Sequence, residues 1–118
     1  MVAFVDFKLA DLENGVTLDA IEIQSGAVLL GGYVEILKAL NSETSDSIAV
    51  GDSDSPAEYG SANGADIGVT ALVPTGKEYP VINNVTLTWT GVGIAPTAGE
   101  GRLVVEYMAT GRAQFSQG

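Results

Sequence analysis

The chain contains no cysteine and no histidine. Without cysteine there is no disulfide and no thiolate metal site, and the sequence says nothing about redox compartment. Without histidine the commonest general base is missing and a Ser–His–Asp arrangement is impossible. No G-x-S-x-G nucleophile elbow occurs either. Basic residues are scarce: Lys8, Lys38, Lys77, Arg102 and Arg112 face fifteen acids, for a net charge of −10. Five scattered bases cannot supply the run of phosphate contacts that direct nucleic-acid binding needs. The acidity reads either as a device for solubility or as a complement to a basic partner surface. Aromatics are few as well, with one tryptophan, four tyrosines and three phenylalanines, too thin a supply for a sugar-cleaving cleft. No apolar run is long enough for a membrane span, since residues 27–40 carry Glu35 and Lys38. MVAFVDFKLADLENG lacks a basic leader and places Asp6 and Asp11 in its apolar stretch, so no signal peptide is expected and the chain reads as soluble where it is made.

What is present is a strand grammar. At 118 residues the chain is most simply one domain, with a modest core. It is 46% apolar with 15 glycines and only 17% charged residues, which fits compact β structure rather than a disordered chain. Val85, Leu87 and Trp89 alternate with Thr86, Thr88 and Thr90, the period-2 pattern of a strand with one buried face. A connection from Gly91 to Gly101, with four glycines and Pro96, leads to a second alternating run at Leu103, Val105 and Tyr107. Near the N-terminus Val5, Phe7 and Leu9 share a face opposite Asp6 and Lys8, and Val16 to Ile23 follows as another run. Asn14-Gly15 between them suits a tight hairpin turn. Val16 and Leu18 lie in one phase and Ile21 and Ile23 in the other, which predicts a bulge or sheet crossing near Asp19-Ala20.

Residues 27–40 fit a helical face through Leu29, Tyr33, Ile36, Leu37 and Leu40, but Gly31-Gly32 would cost a helix interior about 2 kcal/mol. A glycine pair inside a strand marks a bulge or a close backbone approach, and a strand is expected. Ile48-Ala49-Val50 reads as a short strand, and 51–66 as a long Gly/Ser/Asp-rich loop anchored by Tyr59. Ile67 to Val73 reads as a further strand. The predicted fold is all-β, a single-domain jelly-roll-like β-sandwich over residues 1–118, with 109–118 as a tail arm carrying Arg112 and Phe115. Its predicted core holds Val69, Ala71, Val85, Leu87, Trp89, Leu103 and Val105.

Candidate chemistry is thin. Asp46, Asp52, Asp54 and Glu58 supply the hard oxygens that calcium takes. Yet the segment lacks the glycine and terminal acid of an EF-hand loop, and it reads as a solvated acidic surface loop. Gly91-Val92-Gly93 is no dinucleotide fingerprint, because the segment after it reads as strand and not helix. Asn84-Val85-Thr86 is a glycosylation sequon in form, set inside a strand. No residue is put forward as catalytic, cofactor-binding or metal-ligating. The chain reads as a binding protein and not an enzyme.

Three segments carry a resemblance: NNVTLTWTGVGIAPTAGEGRLVVEY at 83–107, GDSDSPAEYG at 51–60 and GAVLLGGYVEI at 26–36. Together they resemble the small structural proteins of tailed-bacteriophage heads, among which short β-sandwich proteins cement or decorate the capsid. The resemblance implies a virion protein on the outer capsid surface, made in the cytoplasm of the bacterial host. It implies the major capsid protein as partner and needs no cofactor. Loops 51–66 and 91–101 are the natural contact elements. Unpaired sandwich edges suggest a homo-oligomer, a dimer or trimer. Two other readings stand beside this one. A carbohydrate- or receptor-binding module would need exposed aromatics, either Trp89 or two nearby tyrosines. A tail or baseplate component of the same phage class would have the same composition.

Overall fold

The structure, a computed structural model, describes residues 2–109. Of the expected tail arm 109–118, Ala109 is the last residue of β9, and residues 110–118, with Arg112 and Phe115, lie outside the described residues. The strands are β1 (Val2–Lys8), β2 (Thr17–Ile23), β3 (Ala27–Lys38), β4 (Ser45–Asp52), β5 (Gly60–Asn63), β6 (Gly68–Ala71), β7 (Glu78–Tyr79), β8 (Asn83–Val92) and β9 (Glu100–Ala109), with a single 3-10 turn at Leu9–Asp11. They form two sheets in which every pairing is antiparallel. The first sheet runs β1-β9-β3-β6, with two-residue β7 also pairing with β3; the second runs β2-β8-β4-β5. Leaving β7 aside, this interleaved order is that of an eight-stranded jelly roll. The strand expected at 27–40 is β3, and no helix forms there.

The core lies between the sheets. Val85, Leu87, Trp89, Leu103 and Val105 are buried in it, as their shared phase predicts, together with Ile48, Val50, Leu29, Val34 and Ile36. Val69 and Ala71 are not. Both lie on the outer face of the first sheet, and Leu72 is the buried residue of that segment. Alternation in a short strand separates its two faces but does not say which one points inward.

The Asn14-Gly15 turn also differs from the expected hairpin. β1 and β2 lie in different sheets, so the turn carries the chain across the sandwich. It is tied down where it crosses, by Gly15 N–H donating to the Trp89 carbonyl and by the Asn14 side chain bonding both backbone groups of Gly91. The phase slip at Asp19-Ala20 is a true register shift in the β2–β8 pairing, between Asp19 and Ile21. A second bulge falls between Leu29 and Gly31. Just past it, Gly32 adopts a φ of +136°, and a Cβ there would sit 2.1 Å from the Val104 carbonyl oxygen. Only glycine lets β3 and β9 approach this closely.

The loop expected over 51–66 is shorter than its composition suggests. β4 continues through Asp52 and Gly60–Asn63 forms β5, so the irregular parts are 53–59 and the turn at 64–66. Gly51 makes this possible, since a Cβ there would lie 2.0 Å from the Ser55 carbonyl oxygen. The Ser55-Pro56 backbone packs over the bare glycine, beside Thr86, which is fully buried although it points to the outer side of its sheet.

Candidate interaction surface

At one end of the sandwich a buried carboxylate ties two loops together. Asp52 is fully buried at the end of β4. Its Oδ1 accepts the backbone N–H groups of Asp54 (2.9 Å) and Ser55 (2.7 Å), which forms the turn that begins the 53–59 loop. Its Oδ2 accepts the Lys77 ammonium and the Tyr79 hydroxyl, both at 2.8 Å. The Tyr79 hydroxyl also meets that of Tyr59, and both rings are buried. Burial alone would raise the Asp52 pKa. The hydrogen bonds from Lys77, Tyr79 and the two backbone N–H groups outweigh it and hold the carboxyl below the ordinary range. Burial and the two hydroxyl and carboxylate contacts push the Tyr79 phenol well up. This is a charged node whose donors are all committed to holding loops together.

A second buried acid sits at the other end of the same strand. Asp46 accepts the Trp89 indole N–H at 2.8 Å, the Ser42 hydroxyl at 2.6 Å and the Ser42 N–H at 3.0 Å. The four acids weighed for calcium are therefore not brought together. Asp46 and Asp52 lie six residues apart on one strand, about 20 Å, and each already accepts three or more hydrogen bonds from protein donors. Asp54 is exposed, and Glu58 accepts the Thr75 hydroxyl at 2.5 Å. Among the described residues no group of three or more acids is placed to hold a metal ion. The expected solvated acidic loop is corrected on the same ground, because Asp46 and Asp52 are interior groups. Both share the phase of Ile48 and Val50, and that was the sequence signal that marked them as inward.

The outer faces of the two sheets differ in kind. Residues directly opposite on paired strands share a face. On the second sheet the rows read Thr17–Thr88–Ala49–Ser61 and Thr90–Ser47–Asn63, small and hydroxyl-rich. On the first sheet one row reads Phe4–Val104–Tyr33–Ala71. Phe4 is 61% exposed, and Val2 and Val69 beside this row are 67% and 62% exposed. The adjacent row is Asp6–Arg102–Glu35–Val69, and beyond it lies Lys8–Glu100–Lys38. Arg102 donates to Asp6 through Nε at 2.6 Å and through Nη2 at 3.2 Å, with its guanidinium 4.9 Å from the centre of the Phe4 ring. A contiguous apolar strip on a sheet face is the mark of a contact surface.

Where the sheets part, between edge strands β1 and β2, there is an open cleft of ≈ 410 Å³ with Val5, Phe7, Leu18 and Leu87 inside and Asp6 and Asp19 at its rim. The expected contact loops lie at opposite ends of the sandwich. Residues 53–59 sit at the Asp52 end, tied to 72–79 through Val73 N–H to the Tyr59 carbonyl. Residues 93–99 sit at the other end, where Asn41 bonds Thr97 and Ala98 and Leu9 N–H reaches the Gly99 carbonyl. Trp89, one candidate for a sugar platform, is core at 5% exposure, and of the four tyrosines Tyr59 and Tyr79 are buried while Tyr33 and Tyr107 are half-buried.

The fold thus defines a jelly-roll β-sandwich with an apolar row on the outer face of one sheet. No family model matches the sequence, and no curated protein matches it. Two solved structures are similar over nearly the whole chain. One is from the acid-stable capsid of Helicobacter pylori bacteriophage KHP30, with 16% identity, 92% of this chain and 91% of that chain covered, and a TM-score of 0.65. The other is from the capsid asymmetric unit of cyanophage Pam1, with 18% identity, 91% of this chain and 82% of that chain covered, and a TM-score of 0.69. At these identities the likeness is one of fold.

Proposed function

We propose that this chain is a bacteriophage virion structural protein that binds and stabilises the outer surface of the capsid, as a head decoration or cement protein. The observation that carries the reading is the match of fold and size together: both capsid chains are covered over at least 82% of their own length by this one. The exposed apolar strip on the first sheet supports it, since a protein that works by contact needs such a surface. In this reading the function is binding without catalysis or cofactor, the partner is the major capsid protein, and the protein acts as a homo-oligomer. Many modest contacts gain strength when repeated by particle symmetry. Because loops 53–59 and 93–99 lie at opposite ends, a subunit lying on its side touches neighbours with both, whereas an upright one touches with one.

The test is to purify virions, separate heads from tails, and assign the protein by mass spectrometry. Recombinant protein is then added to heads that lack it. Recovery with heads and saturable binding to them support the proposal. Recovery with tails alone, or no binding to heads, overturns it.

A further inference from the structure

We propose that the outer face of the first sheet is covered by a second copy of the same face, about a twofold axis that runs parallel to the strands between β9 and β3. The inference deepens the homo-oligomer in the reading above and rests on it. The chain holds fifteen acids and five bases, and this face takes five of the one (Asp6, Glu35, Glu78, Glu100, Glu106) and three of the other (Lys8, Lys38, Arg102). It therefore carries only −2 of the net charge of −10 and most of the bases. The rest of the chain has ten acids and two bases, so two copies meeting elsewhere have few cations to set against the partner's acids.

The register adds complementarity. An axis between the two central strands lays β9 on the partner's β3 and β1 on the partner's β6, keeping each residue at its own height along the sheet. Arg102 and Glu35 are directly opposite within one chain, so Arg102 then faces the partner subunit's Glu35. By the same rule Lys38 faces the partner subunit's Glu100. Each pair occurs twice by symmetry. In the apolar row Val104 meets the partner subunit's Tyr33, and the large Phe4 meets the partner subunit's small Ala71. Facing sheets pack about 10 Å apart within about 30° of alignment, which leaves these rows in reach of each other. The hydroxyl-rich outer face of the second sheet offers no such arrangement and stays in solvent.

The experiment is sedimentation equilibrium of the purified full chain over a wide concentration range, without heads present. A concentration-dependent dimer is expected. Val104→Arg places an unpaired charge in the apolar row and is expected to weaken the dimer at least 100-fold, while Thr90→Arg on the other sheet leaves it unchanged. Arg102→Glu alone sets like charges against the partner and weakens the dimer about 10-fold or more. Adding Glu35→Arg to it restores association, because both facing pairs are rebuilt with reversed sign. These side chains are exposed or half-buried, and circular dichroism and melting confirm that each variant is folded. A wild-type chain that stays monomeric, a dimer indifferent to Val104→Arg, or a charge reversal without rescue overturns the proposal. Head binding by wild type and by Val104→Arg is measured separately. A chain that binds heads but fails the dimer test disproves this inference alone, and one that dimerises but never binds heads disproves the capsid reading alone.

Discussion

Replacing Asp52 by asparagine tests the claim that one buried carboxylate holds an entire end of the sandwich. Asparagine keeps the shape and one acceptor oxygen, so the turn bonds to Asp54 and Ser55 can survive. At the other position an NH₂ group meets two donors, the Lys77 ammonium and the Tyr79 hydroxyl. Removing one partner of a buried charged pair costs about 3–5 kcal/mol, because the group left behind is desolvated and unpaired. Lys77 is about one-third exposed and can turn its ammonium toward water, which puts the expected loss near the bottom of that range, about 3 kcal/mol. In a domain of this size that is a fall in melting temperature of roughly 10–15 °C at pH 7. The pH dependence follows from the lowered Asp52 pKa. A carboxylate whose folded pKa lies below its unfolded value of about 3.9 contributes fully above that value and loses its contribution as pH falls through the folded one. The gap between wild type and Asp52→Asn should therefore be constant from pH 8 to 5 and close below about pH 4. Scanning calorimetry at a series of pH values measures both quantities. Equal melting temperatures at pH 7, or a gap that persists unchanged to pH 2, would refute the reasoning.

Two further substitutions probe the packing. Trp89→Ala should cost about 3–5 kcal/mol by emptying the core beside β4. Trp89→Phe keeps most of the ring but removes the N–H that Asp46 accepts, for a smaller loss of about 1–3 kcal/mol, and urea denaturation separates the two. Gly32→Ala should destabilise by about 2 kcal/mol or more, since its Cβ has no space against the Val104 carbonyl and φ is positive. A Gly32→Ala protein with wild-type stability would mean that β3 and β9 do not approach as described.

Much of this fold could be read from alternation alone. β8 and β9 announced themselves through strict period 2, and β3 was separated from a helix by its glycine pair. The bulge in β2 was visible as a change of phase from Leu18 to Ile21. What alternation lacks is any reference to a third dimension. Asn14-Gly15 has the chemistry of a turn, but turn chemistry does not say whether the next strand pairs with the last or crosses to another sheet. Val69 and Ala71 are apolar and in phase, yet their strand places glycine and threonine on the other side and ends inward only at Leu72. Hydrophobicity therefore pointed the wrong way there. The acids were misread for the opposite reason, because a Gly/Ser/Asp-rich composition outweighed a phase that ran from Asp46 through Ile48 and Val50 to Asp52. The apolar outer face required register, which sets Phe4, Val104, Tyr33 and Ala71 side by side from four separate parts of the chain.

The order of strands has a consequence for biogenesis. β8 lies between β2 and β4, and β9 between β1 and β3, so the middle of each sheet is filled by residues from 83 onward. While the ribosome is still making the first 82 residues, neither sheet can close, and the edges of β1, β2, β3 and β4 wait without their central partner. Most stabilising contacts therefore join segments distant in sequence, the situation in which β proteins fold slowly, on the millisecond-to-second scale. An emerging chain with open strand edges is also exposed to wrong pairing with its neighbours on a polysome. The net charge of −10 opposes association of such unfinished chains before the last two long strands arrive.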